Sequence, residues 1–204
     1  MMQTLNTAVR RIPAWTLYGA ALGYMVWLFW LATTGGLGVE PIKALEHRLG
    51  EIALQLLIVG LAVTPLRRFI GFNLLKFRRA IGLIAFFFVF LHLLVWLVLD
   101  VQIVSQIWAD IVKRPYITVG MASFVLLLPL ALTSNNWSVR TLGPRWRTLH
   151  KATYGAALLG GLHFVMLAKG FQIEPLLYLG AVVGLLALRL VPRRSGGFSV
   201  PRPS

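Results

Sequence analysis

The chain has 204 residues, 58% of them hydrophobic and only 13% charged, an excess of apolar sequence that no single soluble domain needs. A net charge of +14 would ordinarily point to nucleic acid, but here the charge is confined to short segments between long apolar runs, which argues against that partner. Cysteine is absent, which removes disulfides, iron–sulfur clusters and covalently attached c-type haem.

A bilayer core about 30 Å thick needs roughly 20 apolar residues in helix. Six segments meet or approach that length: about 15–33, 48–66, 80–99, 116–133, 149–168 and 174–191. Each is expected to be helical, because lipid offers no partner for backbone N–H and C=O groups. The first follows Arg10 and Arg11 as a signal peptide would, yet its apolar run is too long for a cleaved h-region and reads as a retained helix. "TGGLG" at Thr34 to Gly38 lacks the spacing of a dinucleotide fingerprint and reads as a loop. His47 opens the second segment in "EPIKALEHRLGEI", where it is either a solvated helix end or a contact for quinone or a docking protein. Pro129 in the fourth segment is expected to kink it or mark its end. Most tryptophans lie near the proposed ends, as interfacial aromatics do.

Counting Lys and Arg near the helix ends gives the orientation. With the N-terminus inside, fifteen of the twenty basic residues fall on the inner side, while all six acids (Glu40, Glu46, Glu51, Asp100, Asp110 and Glu174) fall outside. Both termini are therefore expected in the cytoplasm, and the positive charge is a topology signal. The sequence divides into a cytoplasmic segment 1–14, a six-helix transmembrane domain 15–191 and a disordered cytoplasmic tail 192–204.

Histidines carry the chemistry. His92 lies in "AFFFVFLHLLVWLVL" and His163 in "RTLHKATYGAALLGGLHFVM", both roughly 9–12 Å below the outer boundary at the helical rise per residue. Intramembrane ionisable residues are costly and usually functional. A single buried histidine is well explained by a hydrogen bond across a helix interface, but a depth-matched pair on two helices suits axial ligation of one iron. Zinc would want three or four ligands, and no cysteine or carboxylate lies at that depth. Haem needs two axial nitrogens and an apolar slot. Gly155, Gly160 and Gly161, with Ala156 and Ala157, thin one face of the fifth helix, and Gly82 and Gly120 do likewise on the third and fourth. Both a cofactor slot and close helix packing account for them.

His150 lies near the inner boundary, thirteen residues before His163. On an ideal helix that spacing turns the two side chains roughly 140° apart, so a common face requires a distortion at Gly160–Gly161. The matching position thirteen residues before His92 is Arg79, which does not ligate iron. His150 is left with four readings: ligand of a second haem, or contact for a flavin, a quinone headgroup or a haem propionate.

The runs "RPYITVGMASFVLLLPLALTS", "LGPRWRTLHKATYGAALLGGLHF" and "RRAIGLIAFFFVFLHLL" resemble the MsrQ (YedZ) family of Gram-negative bacteria, and the likeness covers about residues 10–192. The resemblance implies a ferric reductase-like six-helix bundle in the bacterial inner membrane that holds haem b and, in the family, FMN. It further implies electrons drawn from the quinone pool or a cytoplasmic flavin reductase. They would pass to MsrP, a periplasmic molybdopterin enzyme that reduces methionine sulfoxide in proteins. His92, His150 and His163 match the family's haem-associated histidines. His47 also falls on a family motif, although "HRLG" replaces the threonine and glycine that commonly follow it. The NADPH/FAD domain and four-histidine pattern of the related oxidases are missing, so direct use of NADPH is not expected.

The sequence is accordingly read as an all-α, multi-pass electron conduit in which His92 and His163 hold a haem iron and His150 contacts a cofactor. Catalysis on the sulfoxide lies on the partner. A transmembrane ferric or cupric reductase acting on an external chelate is the nearest rival, and a non-redox assembly factor or transporter is the rival of another class.

Overall fold

Backbone groups in an apolar run can be satisfied within one segment only by a helix, and the computed structural model, which describes residues 2–168 and 172–191, is helical throughout and has no strand among them. Its elements are α1 (Met2–Arg11), α2 (Trp15–Thr33), α3 (Pro41–Pro65), α4 (Arg78–Val95), α5 (Val104–Lys113), α6 (Pro115–Leu132), α7 (Asn136–Leu142), α8 (Pro144–Leu149), α9 (Ala152–Leu167) and α10 (Ile173–Leu190). The segment 192–204, expected as a tail, lies outside the described residues.

Among the described residues, five helical stretches are long and apolar enough to cross a membrane: Trp15–Thr33, Pro41–Ile70, Leu75–Val101, Pro115–Leu132 and Ile173–Leu190. The chain is a multi-pass membrane protein. The remaining apolar run yields α9, of only 16 residues, because its first residues are taken by the end of α8 and a turn at His150 and Lys151. Pro41 and Pro115 start α3 and α6, at the position where a missing N–H costs nothing. Starting at Pro41, α3 begins seven residues earlier than its apolar run, so its first three turns carry the charged residues Lys43, Glu46, Arg48 and Glu51. The stretches after α3 and α4 widen into π-turns, Leu66–Ile70 and Trp96–Val101, and end in left-handed residues. Gly71 (φ 78°) suits that conformation, whereas Gln102 (φ 61°) adopts it at a steric cost. Pro129 does not stop α6 at once. The helix runs on to Leu132, and Thr133 closes it by donating both its amide (3.0 Å) and its hydroxyl (2.6 Å) to the Pro129 carbonyl.

Packing pairs α3 with α4 and α6 with α9, and α10 lies against α3 and α9. Leu54, Leu57 and Leu61 of α3 meet Ala85 of α4, Leu127 of α6, Ala156 and Ala157 of α9 and Val182 of α10 in the central core. The small residues of α9 bring that helix close to its neighbours: a Cβ on Gly161 would lie 3.1 Å from Leu179, and one on Gly155 would lie 3.5 Å from Leu126. Ser123, buried at that junction, donates to the Ala156 carbonyl at 2.8 Å. By contrast α2 buries only Leu28, and its Trp15, Leu22, Val26, Trp27 and Trp30 are exposed, as a lipid-facing helix requires.

Loops of one charge gather at one end of the bundle. Lys76 donates to the Arg10 and Ile12 carbonyls, Arg68 to that of Val191, and Arg79 to the Asn136 side chain. Three ion pairs among the described residues, Lys43–Glu40, Arg48–Glu51 and Arg114–Asp110, belong to the other, acidic end.

Candidate functional site

At the acidic end, α4 and α9 bring His92 and His163 together, one ring edge-on to the other. Their ring centroids lie 6.2 Å apart with the planes inclined at 75°. Two imidazoles bound through one nitrogen each to the same ion, with metal–nitrogen bonds of about 2 Å, have centroids separated by roughly this distance. Each ring is turned by a backbone carbonyl: His92 Nδ1–H donates to Glu46 at 2.8 Å and His163 Nδ1–H to Tyr116 at 2.7 Å. A carbonyl can only accept, so the proton sits on Nδ1 in both rings and Nε2 keeps its lone pair. Carbonyl-oriented imidazoles of this kind are the usual form of metal-bound histidine.

The cavity beside the rings measures about 250 Å³ and is walled by Leu93, Met121, Phe124 and Leu167 among others. That is slightly below the ~300–1,000 Å³ of common small-molecule sites. No cluster of three or more histidine or acidic side chains that could hold a bare ion occurs among the described residues. Two lone-pair nitrogens and apolar walls fit an iron already held in a macrocycle. At the mouth stand Lys43, Glu46, His47, Glu51, Asp100 and Arg114. His47 thus reaches the same cavity as the paired histidines, although the sequence left it between solvent and site.

Several contributors were invisible to sequence reasoning. Gly50 of α3 touches the His92 ring, and the accepting carbonyls of Glu46 and Tyr116 carry no side-chain signature. A polar knot beside the cavity joins α10 to α3. Gln55 donates to Tyr178 Oη (2.6 Å) and to Glu51 (3.0 Å), and the tyrosine hydroxyl donates to Glu51 at 3.2 Å.

The basic end is organised otherwise. A cavity of about 550 Å³ is lined there by Arg78, Arg79, Arg147 and Lys151 together with Trp146 and Tyr154. His150 borders it but does not lie on α9. It ends α8, stacks on Trp146 at 3.8 Å and reaches Thr133 Oγ1 at 3.1 Å through Nε2. The Thr133 hydroxyl proton is committed to Pro129, so His150 Nε2–H is the donor and Nδ1 the free nitrogen. Burial first, then the charges of Arg78 and Arg79, lower the His150 pKa from its ordinary value, which favours the neutral ring. α9 runs unbroken through Gly160 and Gly161, so the turn between His150 and His163 comes before the helix. Arg79, across the cavity, is engaged with Asn136 at 2.7 Å. Deeper in, Arg189 donates to the Leu61 carbonyl and the Tyr154 hydroxyl, while its Nε is buried without a partner.

Residues 49–161 match the family described as "Ferric reductase like transmembrane component". A protein of Agrobacterium fabrum named protein-methionine-sulfoxide reductase heme-binding subunit MsrQ is 52% identical over 178 residues, 87% of this chain and 83% of its own. Proteins of the same name from Brucella anthropi (48% over 191 residues, 93% and 87%) and Brucella ovis (49% over 177 residues, 86% and 80%) are similar along the same stretch. The chain belongs to the MsrQ family. The family match takes in α4 and α6 and most of α3 and α9, with His92, Tyr116 and His150 inside it.

Proposed function

We propose that this protein is the haem b-carrying membrane subunit of a methionine-sulfoxide reductase system, with His92 and His163 as axial ligands. Six spans, the five long apolar stretches together with α9, form one transmembrane domain over 15–191 in the bacterial inner membrane, with both termini and the basic end in the cytoplasm. The observation that carries the reading is the pair of Nδ1-protonated imidazoles 6.2 Å apart inside an apolar bundle. A haem bound there supplies one-electron exchange without proton transfer at the iron. The chain's residues do the rest. The carbonyls of Glu46 and Tyr116 hold the imidazoles, Leu93, Met121 and Phe124 exclude water, and Arg78, Arg79, Arg147 and Lys151 attract an anionic donor. His150 serves that donor side, where the cations and the Trp146 and Tyr154 rings suit an FMN phosphate and ring, a quinone headgroup or a docked cytoplasmic flavin reductase. Electrons leave at the acidic end to a periplasmic molybdopterin reductase of the MsrP type. The match to the ferric reductase-like family keeps one second reading, reduction of an external ferric or cupric chelate.

Purified protein in detergent is expected to show a bis-imidazole haem spectrum. After chemical reduction, reoxidation should be fast with the periplasmic reductase and its sulfoxide substrate and slow with ferric citrate. The opposite ranking would favour the metal reductase, and a protein without a Soret band would end the haem reading in favour of a non-redox role.

A further inference from the structure

The same holding device occurs twice around the paired imidazoles. Each ring leans on a helix other than its own, His92 of α4 on α3 and His163 of α9 on α6. On each supporting helix a glycine stands four residues after the accepting carbonyl, Gly50 after Glu46 and Gly120 after Tyr116. Residues four apart share a helix face, so a ring that reaches the carbonyl must lie where the side chain of the later residue would be. A Cβ at position 50 would sit 3.1 Å from His92 Nδ1 and 3.2 Å from Cε1, and one at position 120 would sit 2.8 and 3.0 Å from the same atoms of His163. Seventy residues separate Glu46 from Tyr116 and Gly50 from Gly120, and seventy-one separate His92 from His163. Two helix pairs thus repeat one carbonyl–glycine–histidine unit.

We propose that Gly50 and Gly120 are positioning residues for the two haem ligands. Lacking a Cβ, they let each imidazole seat its Nδ1–H on a main-chain carbonyl. This rests on the haem reading above and adds what sets the ligands' donor strength. A helix carbonyl that already accepts the amide four residues on keeps a second lone pair, so the histidine bond is made without unwinding the support helix. Donation from Nδ1 fixes the tautomer and raises the basicity of Nε2 toward a metal. Moving the ring off the carbonyl removes that gain, weakens the donor and disfavours the ferric state. Plain helix packing predicts something else: altered yield or stability, with the spectrum and potential of the surviving protein unchanged.

The test compares Gly120→Ala and Gly50→Ala with Gly184→Ala, where a Cβ meets nothing within 4 Å. Haem per inserted chain, the low-spin fraction and the midpoint potential are read on full-length protein in detergent. Gly120→Ala, with the closer contact, is expected to lose haem affinity by about tenfold or more, the scale of other losses of metal-ligand support. Gly50→Ala should retain more haem, with an upward shift of midpoint potential. Gly184→Ala should match the parent. If Gly120→Ala fails to insert, Gly50→Ala decides, since its contact asks the ring to give by only a few tenths of an ångström. Parental haem content, spectrum and potential in Gly50→Ala and in any inserted Gly120→Ala, or a Gly184→Ala change as large as theirs, would overturn the proposal while leaving the haem reading intact. A parent protein without haem would overturn both.

Discussion

The acidic and basic ends of the bundle each offer a cavity with histidine on its wall, and they handle that histidine in opposite ways. At the acidic end the main chain takes the Nδ1–H of both rings, so two Nε2 lone pairs remain for a ligand. At the basic end a threonine takes the Nε2–H of the only histidine, and cations fill the place where a second imidazole would stand. Ligation depends on how the other nitrogen is satisfied and on a partner at the right distance. A histidine at the right depth meets neither condition by itself.

The largest effect expected from this difference is on cofactor content. His92→Ala and His163→Ala should each remove most bound haem while the protein still inserts, measured as Soret absorbance per chain after affinity purification. His150→Ala should be milder, with most haem kept and reduction slowed. Complete loss of haem there would move the cofactor to the basic end and erase the contrast. Next in size is a kinetic split. Charge reversal at Arg78 and Arg79 is expected to slow haem reduction several-fold, by loss of attraction for an anionic donor, and to leave reoxidation alone. Reversal at Asp100 and Asp110 should do the opposite. Stopped-flow absorbance of both half-reactions tests this, and parental rates in both would reduce the charges to determinants of orientation. Smallest is Tyr178→Phe, which removes the hydroxyl shared by Gln55 and Glu51 beside the paired site. A cost of about 1 kcal/mol or slightly more is expected in thermal unfolding, with haem content unchanged.

The helices were legible because apolar length is written in the sequence: the run read as 15–33 is Trp15–Thr33, and that read as 174–191 is Ile173–Leu190. The early start of α3 was not, since its first two turns are charged and only the fixed φ of Pro41 marks them. Depth matching placed His92 and His163 at one level, and the fold brings them together. What turned the rings could not be read, because the acceptors are main-chain carbonyls whose side chains, Glu46 and Tyr116, point to other chemistry. In sequence Gly120 suits a cofactor slot and helix packing alike, and its actual neighbour is the His163 imidazole. Gly161 turned out to serve packing against Leu179. A single helix from 149 onward would turn His150 and His163 roughly 140° apart. The chain instead turns at His150 and Lys151 before α9 starts, a break for which "LHKATY" carries no proline or glycine signal.

The central claim, one iron clamped between His92 and His163, is tested most directly by low-temperature electron paramagnetic resonance of the oxidised, purified protein with haem quantified per chain. Ring planes inclined at 75° place the two imidazoles nearly perpendicular, a geometry that gives a highly anisotropic low-spin ferric signal with a large maximum g value. The account predicts one such signal, present in the parent and in His150→Ala and missing from His92→Ala and His163→Ala. A signal that persists in both of those single variants, or disappears with His150, would contradict it.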